Sequence, residues 1–373
     1  MPSTPRPLTT AAVAAGAAAL LLVSACGGPS GPKEVDLGSG PAKAGAVKKG
    51  ALKGVDLTFT SYGGFYQDGQ EKAAIDSFSK ASGAKVLQDG PTDYAKLQAQ
   101  VKSRNVTWDV VDTDGIWSGA HCGDLLQPLD YKVIDKSKVP EGMATKCSVP
   151  AMEYGVVLVY DKKKYGAKPP QGWQDFFDTK KFPGKRAIPG IPGDASPGPM
   201  EAALTADGVA ADELYPLDED RALKKLSSVR SDTVFWKTGA EAQQLLESGE
   251  VDMAMMWTGR AYAAVKNGAP YAAQWNQWLP VMDTLSVPKG AKNPKASMAL
   301  INHYLGAKQQ EKLTELTSYS PVNTDADPKL DKLGASYLTT RPGLKKKALP
   351  VDPAWWSKHQ KAMTEKWAAW LGA

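Results

Sequence analysis

Apolar and polar positions alternate along residues 55–61 (Val-Asp-Leu-Thr-Phe-Thr-Ser), and the run ends in Tyr62-Gly63-Gly64, a strand leading into a turn. Residues 70–81 carry Ala74, Ile75 and Phe78 at helical spacing, and residues 84–88 predict a second short strand. A helix follows over 94–104 with Leu97 and Val101 inward, then a third strand at 108–112. Strands alternating with helices predict a mostly parallel α/β sheet. Ligands of such sheets collect beyond the carboxyl ends of the strands, here the loops 62–66, 89–94 and 112–117.

The β-branched run 155–160 predicts a crossing to a second lobe. There the pattern gives a Pro/Trp/Phe-rich connection (169–182), a strand at 186–188, a long Gly/Pro loop (189–199) and helices at 200–206 and 218–227. A strand at 234–236, a helix at 240–248 and a buried strand at 251–257 complete it. Residues 283–287 predict the return crossing, followed by helices at 294–304 and 308–317 and a helical tail with an aromatic-rich end. The first lobe is therefore expected at 55–152 and 283–320, and the second at 153–282 and 321–373.

The amino end changes the picture of where the chain works. Arg6 precedes an uninterrupted apolar or small stretch, 11–23, too short to span a bilayer but suited to a signal peptide. Val23-Ser24-Ala25-Cys26 resembles a bacterial lipobox, which implies removal of residues 1–25 and lipid on Cys26, hence an anchor on the outer face of the cell membrane or in the periplasm. Residues 26–54, rich in Gly, Pro, Ala and Lys, are expected to form a flexible tether. The net charge of +5 over 373 residues is modest and points to no nucleic-acid partner. Cys122 and Cys147 remain, and in an oxidising compartment an isolated pair is expected to form a disulfide.

Candidate chemistry lies in aromatic and carboxylate side chains at loop positions. Tyr62, Tyr94 and Trp117 stand at strand ends of the first lobe; Trp257, Trp275 and Trp278 gather in the second; Tyr319 comes from the C-terminal part. Aromatic faces attract alkylammonium groups by about 2 kcal/mol when desolvated. Asp112, Asp114, Asp194 and Asp283 offer charge-assisted hydrogen bonds to a nitrogen. Core packing is the competing reading for each aromatic, and capping of the next helix for Asp112. Trp355, Trp356, Trp367 and Trp370 read as packing residues of the tail. His121, His303 and His359 lie far apart without metal-ligand spacing and are expected at the surface. The chain has no G-x-S-x-G, H-E-x-x-H or Walker loop, so a non-enzymatic protein without cofactor or metal is expected.

An ordered set of short motifs carries a resemblance. Ser61-Tyr-Gly-Gly-Phe-Tyr-Gln67, Asp93-Tyr-Ala-Lys-Leu97, Trp108-Asp-Val-Val-Asp112, Gly172-Trp173 and Phe182-Pro-Gly-Lys-Arg186 come first. Gly249-Glu-Val251, Met256-Trp-Thr-Gly-Arg260, Tyr319-Ser-Pro-Val-Asn323 and Trp355-Trp356 follow. From about residue 55 onward the chain resembles extracellular solute-binding proteins of the spermidine/putrescine-binding type. That resemblance implies a type II periplasmic-binding-protein-like fold: two α/β lobes, each a mostly parallel sheet flanked by helices, closing on a small molecule. It implies a monomer that delivers a polyamine-like amine to the permease subunits of an ABC transporter. It also implies that Tyr62, Tyr94, Trp257, Trp275, Asp283 and Tyr319 line the cleft. The sequence departs from polyamine binders in the second-lobe loop, where they carry two acids and Asp194-Ala-Ser-Pro-Gly198 offers Asp194 alone. Arg260 is placed to meet an anion, which fits an amino acid with separated amine and carboxylate, as in γ-aminobutyrate-binding relatives. A betaine, ferric iron, or an adhesive role without ligand are the remaining readings.

Overall fold

The computed structural model describes residues 35–373; the predicted signal segment and Cys26 lie outside the described residues. Eight strands form one sheet among the described residues: β1 (Asp56–Thr60), β2 (Lys85–Asp89), β3 (Val110–Asp114), β4 (Ser148–Asp161), β5 (Arg186–Pro189), β6 (Thr233–Trp236), β7 (Met253–Trp257) and β8 (Tyr271–Ser286). Their order is β2-β1-β3-β8-β4-β7-β5-β6. At one side β1, β2 and β3 run parallel, and at the other β5, β6 and β7 do. Each lobe thus has the parallel set expected of it, and the long strands β4 and β8 join the two sets into one continuous sheet.

The joints fix where a ligand can meet both lobes. The pairs β3–β8, β8–β4 and β4–β7 are all antiparallel, so the two parallel sets run in opposite directions. The last residue of β3, Asp114, pairs with Asp283 on β8, and the last residue of β7, Trp257, pairs with Val156 on β4. Both sets of carboxyl ends therefore converge on the middle of the crossing strands. β4 is buried over nearly its whole length, which is why it reads as a continuous β-branched run.

β8 begins twelve residues before the predicted return crossing at 283. Its first half carries Gln274, Asn276 and Gln277 and has no period-two pattern, with Gln277 at φ 63°. The helix predicted over 70–81 starts earlier, as Gly64–Gln70, and runs through one π turn at Glu71–Ile75 into Asp76–Ser82. Positive φ at Gly63 and Gly64 lets the chain turn sharply out of β1 into it.

Residues 35–54, expected as part of a flexible tether, are instead docked against the ends of the helices Asp76–Ser82 and Pro294–Tyr304. Leu52 and Val35 are buried, and the Asn302 side chain donates to the Lys43 and Ala46 carbonyls at 2.9 and 3.0 Å. Small residues let this segment turn tightly, and Val35 and Leu52 join the core, with Leu37, Val47 and Ala51 packed against it. His303, expected at the surface, is buried with it and hydrogen-bonds Ser77 at 2.8 Å; His121 and His359 are half-buried. Cys122 and Cys147 form the expected disulfide, with Cα atoms 5.4 Å apart. No helix among the described residues is long and apolar enough to cross a membrane.

Candidate functional site

Where the carboxyl ends converge, side chains from every part of the sheet close around a small cavity of about 20 Å³. Tyr62 and Tyr66 come from the turn after β1, Asp114 from the end of β3, and Tyr154 and Asp283 from the crossing strands. Asp194 and Ser196 come from the loop after β5, Trp257 from the end of β7, and Arg260 from the first turn of the helix Thr258–Lys266. Tyr319 follows the helix Ala307–Thr317, brought inward by Ser318 in the left-handed region at φ 57°.

The rings form an edge-to-face box. Tyr319 meets Tyr66 at 5.1 Å and Tyr154 at 5.9 Å between centroids, and Trp257 meets Tyr154 at 6.2 Å and Trp236 at 4.8 Å. Three carboxylates face this box. Burial, with the charge of Asp194 adding, pushes the Asp114 carboxyl up to about 7, although the Ile116 and Trp117 backbone N–H groups that Asp114 caps oppose the shift. Burial pushes Asp194 up to about 6, against its hydrogen bond from Ser196 at 2.7 Å. Asp283 is raised further, by burial first and then by the charges of Asp112, Asp114 and Asp194. A site of this kind holds protons near neutral pH until a cation replaces them.

Arg260 is the cation of the cavity, and it is 2 % exposed. Its Nη2 donates to the Gly63 carbonyl at 3.1 Å, and the guanidinium lies 5.0 Å from the Phe65 ring centroid. Its Nε has no hydrogen-bond partner, and no carboxylate among the described residues lies within ion-pair distance of it. A buried donor left open on a charged group costs several kcal/mol in general, on the order of 1–3 or more. The arrangement presents an acidic, aromatic site containing one guanidinium whose Nε, beside Gly239, has no hydrogen-bond partner.

Of the residues singled out in the sequence, Tyr62, Asp114, Asp194, Trp257, Arg260, Asp283 and Tyr319 meet at this cavity. Tyr94 and Trp117 stand farther out, stacked at 4.4 Å, in a groove of about 570 Å³ that shares Tyr62, Asp194 and Trp257 with the cavity. The Tyr94 hydroxyl bonds that of Tyr62 at 2.7 Å and accepts from the Asp114 N–H at 3.1 Å, so it braces the inner wall. Asp112 does not reach the cavity. It lies behind Tyr66, accepting from Tyr66, Gln70 and Ser61 at 2.8, 2.6 and 3.3 Å, and Asp114 rather than Asp112 caps the next helix. Trp275 is elsewhere, under Arg341 at 4.4 Å and edge-on to Trp278, because the irregular first half of β8 turns it toward 337–348. Tyr66, Tyr154 and Ser196 were not singled out. Tyr66 is one helical turn from Tyr62, Tyr154 precedes the crossing run, and Ser196 is two residues from Asp194; those spacings were the available signals.

Together, fold and geometry are those of a two-lobed binding protein whose candidate site lies at the crossing of its lobes. The sequence profile of the bacterial extracellular solute-binding proteins matches residues 73–339, and the chain belongs to that family. It is 30% identical over 322 residues to the gamma-aminobutyric acid-binding protein of Pseudomonas aeruginosa, covering 84% of this chain and 90% of that one. It is 26% identical over 273 residues to spermidine/putrescine-binding periplasmic protein 1 of Haemophilus influenzae, covering 69% and 74%. Among solved structures, a GABA receptor is 40% identical with a TM-score of 0.75, covering 85% of this chain and 97% of that one. The PBP AgtB from A. tumefaciens R10, solved with agropinic acid, is 35% identical with a TM-score of 0.79, covering 86% and 99%.

Proposed function

We propose that this protein captures a small ω-amino acid of the γ-aminobutyrate kind between its lobes and delivers it to the permease of an ABC importer. The unsatisfied Nε of buried Arg260 carries this reading. A diamine would bring a second positive charge against that guanidinium, whereas a zwitterion brings the carboxylate it lacks. The ammonium end then faces Asp114, Asp194 and Asp283, with the methylene chain between the rings of Trp257, Tyr154 and Tyr319. Two relatives, named for γ-aminobutyrate and 30% and 40% identical, support the same choice over a polyamine. The deciding experiment is calorimetry of the purified protein against γ-aminobutyrate, putrescine, spermidine, a betaine and ferric iron. Micromolar γ-aminobutyrate binding, about −8.2 kcal/mol, with none for putrescine is the expected result; the reverse order returns the site to polyamines.

Lipid attachment at Cys26 belongs to the same proposal, since the reading rests on Val23-Ser24-Ala25-Cys26 after a short apolar run. Fatty-acid labelling of the protein in the producing cell should disappear in Cys26→Ser; labelling that persists rules out Cys26 as the site of attachment.

A further inference from the structure

We propose that the C-terminal helix Pro353–Gly372 is a splint for the ligand site: Trp356, Gln360 and Thr364 position the loop that carries Asp194, while Ser357 braces the helix that Asp114 caps. The proposal takes only its test solute from the ligand reading above.

Trp356, Gln360 and Thr364 are four residues apart and so share one face of the helix. Thr364 Oγ1 accepts from the backbone N–H of Ala195, the residue after Asp194, at 3.4 Å, and from Gln360 Nε2 at 3.2 Å. At the loop's exit Gly198 N–H donates to Glu201 Oε2 at 2.8 Å, and Trp356 Nε1 donates to Glu201 Oε1, also at 2.8 Å. Trp356 and Trp367 wall the space beneath Asp194 and Ala195. The loop needs such support, because Pro192 and Pro197 lack a backbone N–H and its glycines leave the backbone free to move. Among the described residues its backbone N–H groups that donate to backbone carbonyls are Gly190, to Trp236 at 2.8 Å, and Asp194, to Ile191 at 3.2 Å.

The same helix packs against Gly115–Ala120 in the first lobe, where Ser357 Oγ stands 3.8 Å from the position a Cβ would take at Gly119. That short helix begins at Asp114, whose Oδ1 accepts from Ile116 and Trp117 N–H at 2.8 and 3.1 Å. Arg230, bonded to the Trp370 and Leu371 carbonyls at 2.9 and 3.0 Å, fixes the far end of the splint to the second lobe. One element thus supports an acid from each lobe; its Gln360 and Thr364 line the outer groove but not the inner cavity.

The test is amide hydrogen exchange of the ligand-free full chain, with calorimetry against γ-aminobutyrate, on Thr364→Val, Thr364→Ser and Gln360→Met. In Thr364→Val and Gln360→Met, exchange in 190–198 should quicken about tenfold while β5 and β7 keep their protection, and affinity should fall about tenfold. Thr364→Ser keeps the hydroxyl and should match the wild type in both. Unchanged exchange in 190–198, an equal loss of protection throughout the lobe, or no rescue by Ser overturns the splint. A wild type that takes no γ-aminobutyrate, with local loosening in Thr364→Val, removes the ligand assignment and supports the splint.

Discussion

Asp114 and Asp283 stand directly opposite each other on antiparallel β3 and β8, at 4 % and 5 % exposure. Like charges in a cross-strand pair repel, and here water is too far away to screen them. The pair is stable when it holds a proton or when a cation lies against it. The sheet places this pair where the two lobes meet, and under the proposed function the ammonium end of the solute is the cation that meets it.

Ligand binding should therefore release protons. The cation favours the charged carboxylates and pulls their pKa values down from about 7 for Asp114 and about 6 for Asp194. Affinity should rise with pH between about 5 and 8, and calorimetric heats near pH 6.5 should differ between phosphate and Tris buffers. Equal heats in both buffers would show that the acids do not face the ligand's nitrogen. The free protein has the opposite slope. Its acids titrate above their unfolded value of 3.8, so the folded state binds more protons and stability falls as pH rises from about 4 to 7. Scanning calorimetry without ligand should give a lower Tm at pH 7.5 than at pH 5.

Arg260→Met removes the guanidinium and keeps most of the volume. The loss of a charge-assisted hydrogen bond, about 2 kcal/mol, should weaken γ-aminobutyrate binding about thirtyfold. Thermal stability should hold or rise, because an unpaired buried charge goes with it. Putrescine is the control: binding that improves in Arg260→Met places the carboxylate at Arg260, and equal losses for both ligands refute that placement.

How far this site could be read in the sequence depended on chain distance. Asp114 and Trp257 end regular strands, and the rule that ligands collect at carboxyl ends finds such residues without knowing the sheet order. Trp275 looked equivalent to Trp257, but it sits in the half of β8 whose polar residues hide the strand, so its direction was not legible. Residues 35–54 misled through composition: their docking depends on Asn302, some 250 positions away, and long-range bonds leave no local pattern. Tyr154 was lost for a related reason, since a crossing strand buried on both faces has no alternation to show which side chain faces the cavity. The orphan Nε of Arg260 could be found only in three dimensions.

Trp257→Ala removes the ring that closes the box against Tyr154 and Trp236. It is half-buried at a strand end, so the fold should survive with unchanged circular dichroism. The lost cation–π and packing contact, about 2 kcal/mol, should weaken the bound solute about thirtyfold. Unchanged affinity in calorimetry would make Trp257 a core residue and the cavity assignment wrong.

Gly259→Ala tests the box from behind. A Cβ at Gly259 would stand 2.3 Å from Tyr319 Cζ, well inside contact distance, with three ring carbons of Tyr319 closer than 3 Å. Gly259 lies in the first turn of the helix Thr258–Lys266 and needs no left-handed backbone, so the methyl group can be accommodated only if Tyr319 moves. Alanine favours the helix over glycine by about 1 kcal/mol, which offsets part of the cost of displacing the ring, and Tm should change little. Affinity should drop about tenfold as Tyr319 leaves its seat against Tyr66 and Tyr154. The cause is separable by a double-mutant cycle with Tyr319→Ala. Once the ring is gone, Gly259→Ala should cost nothing more in calorimetry; an equal cost in both backgrounds would mean that the glycine acts on Arg260 or the helix rather than through Tyr319.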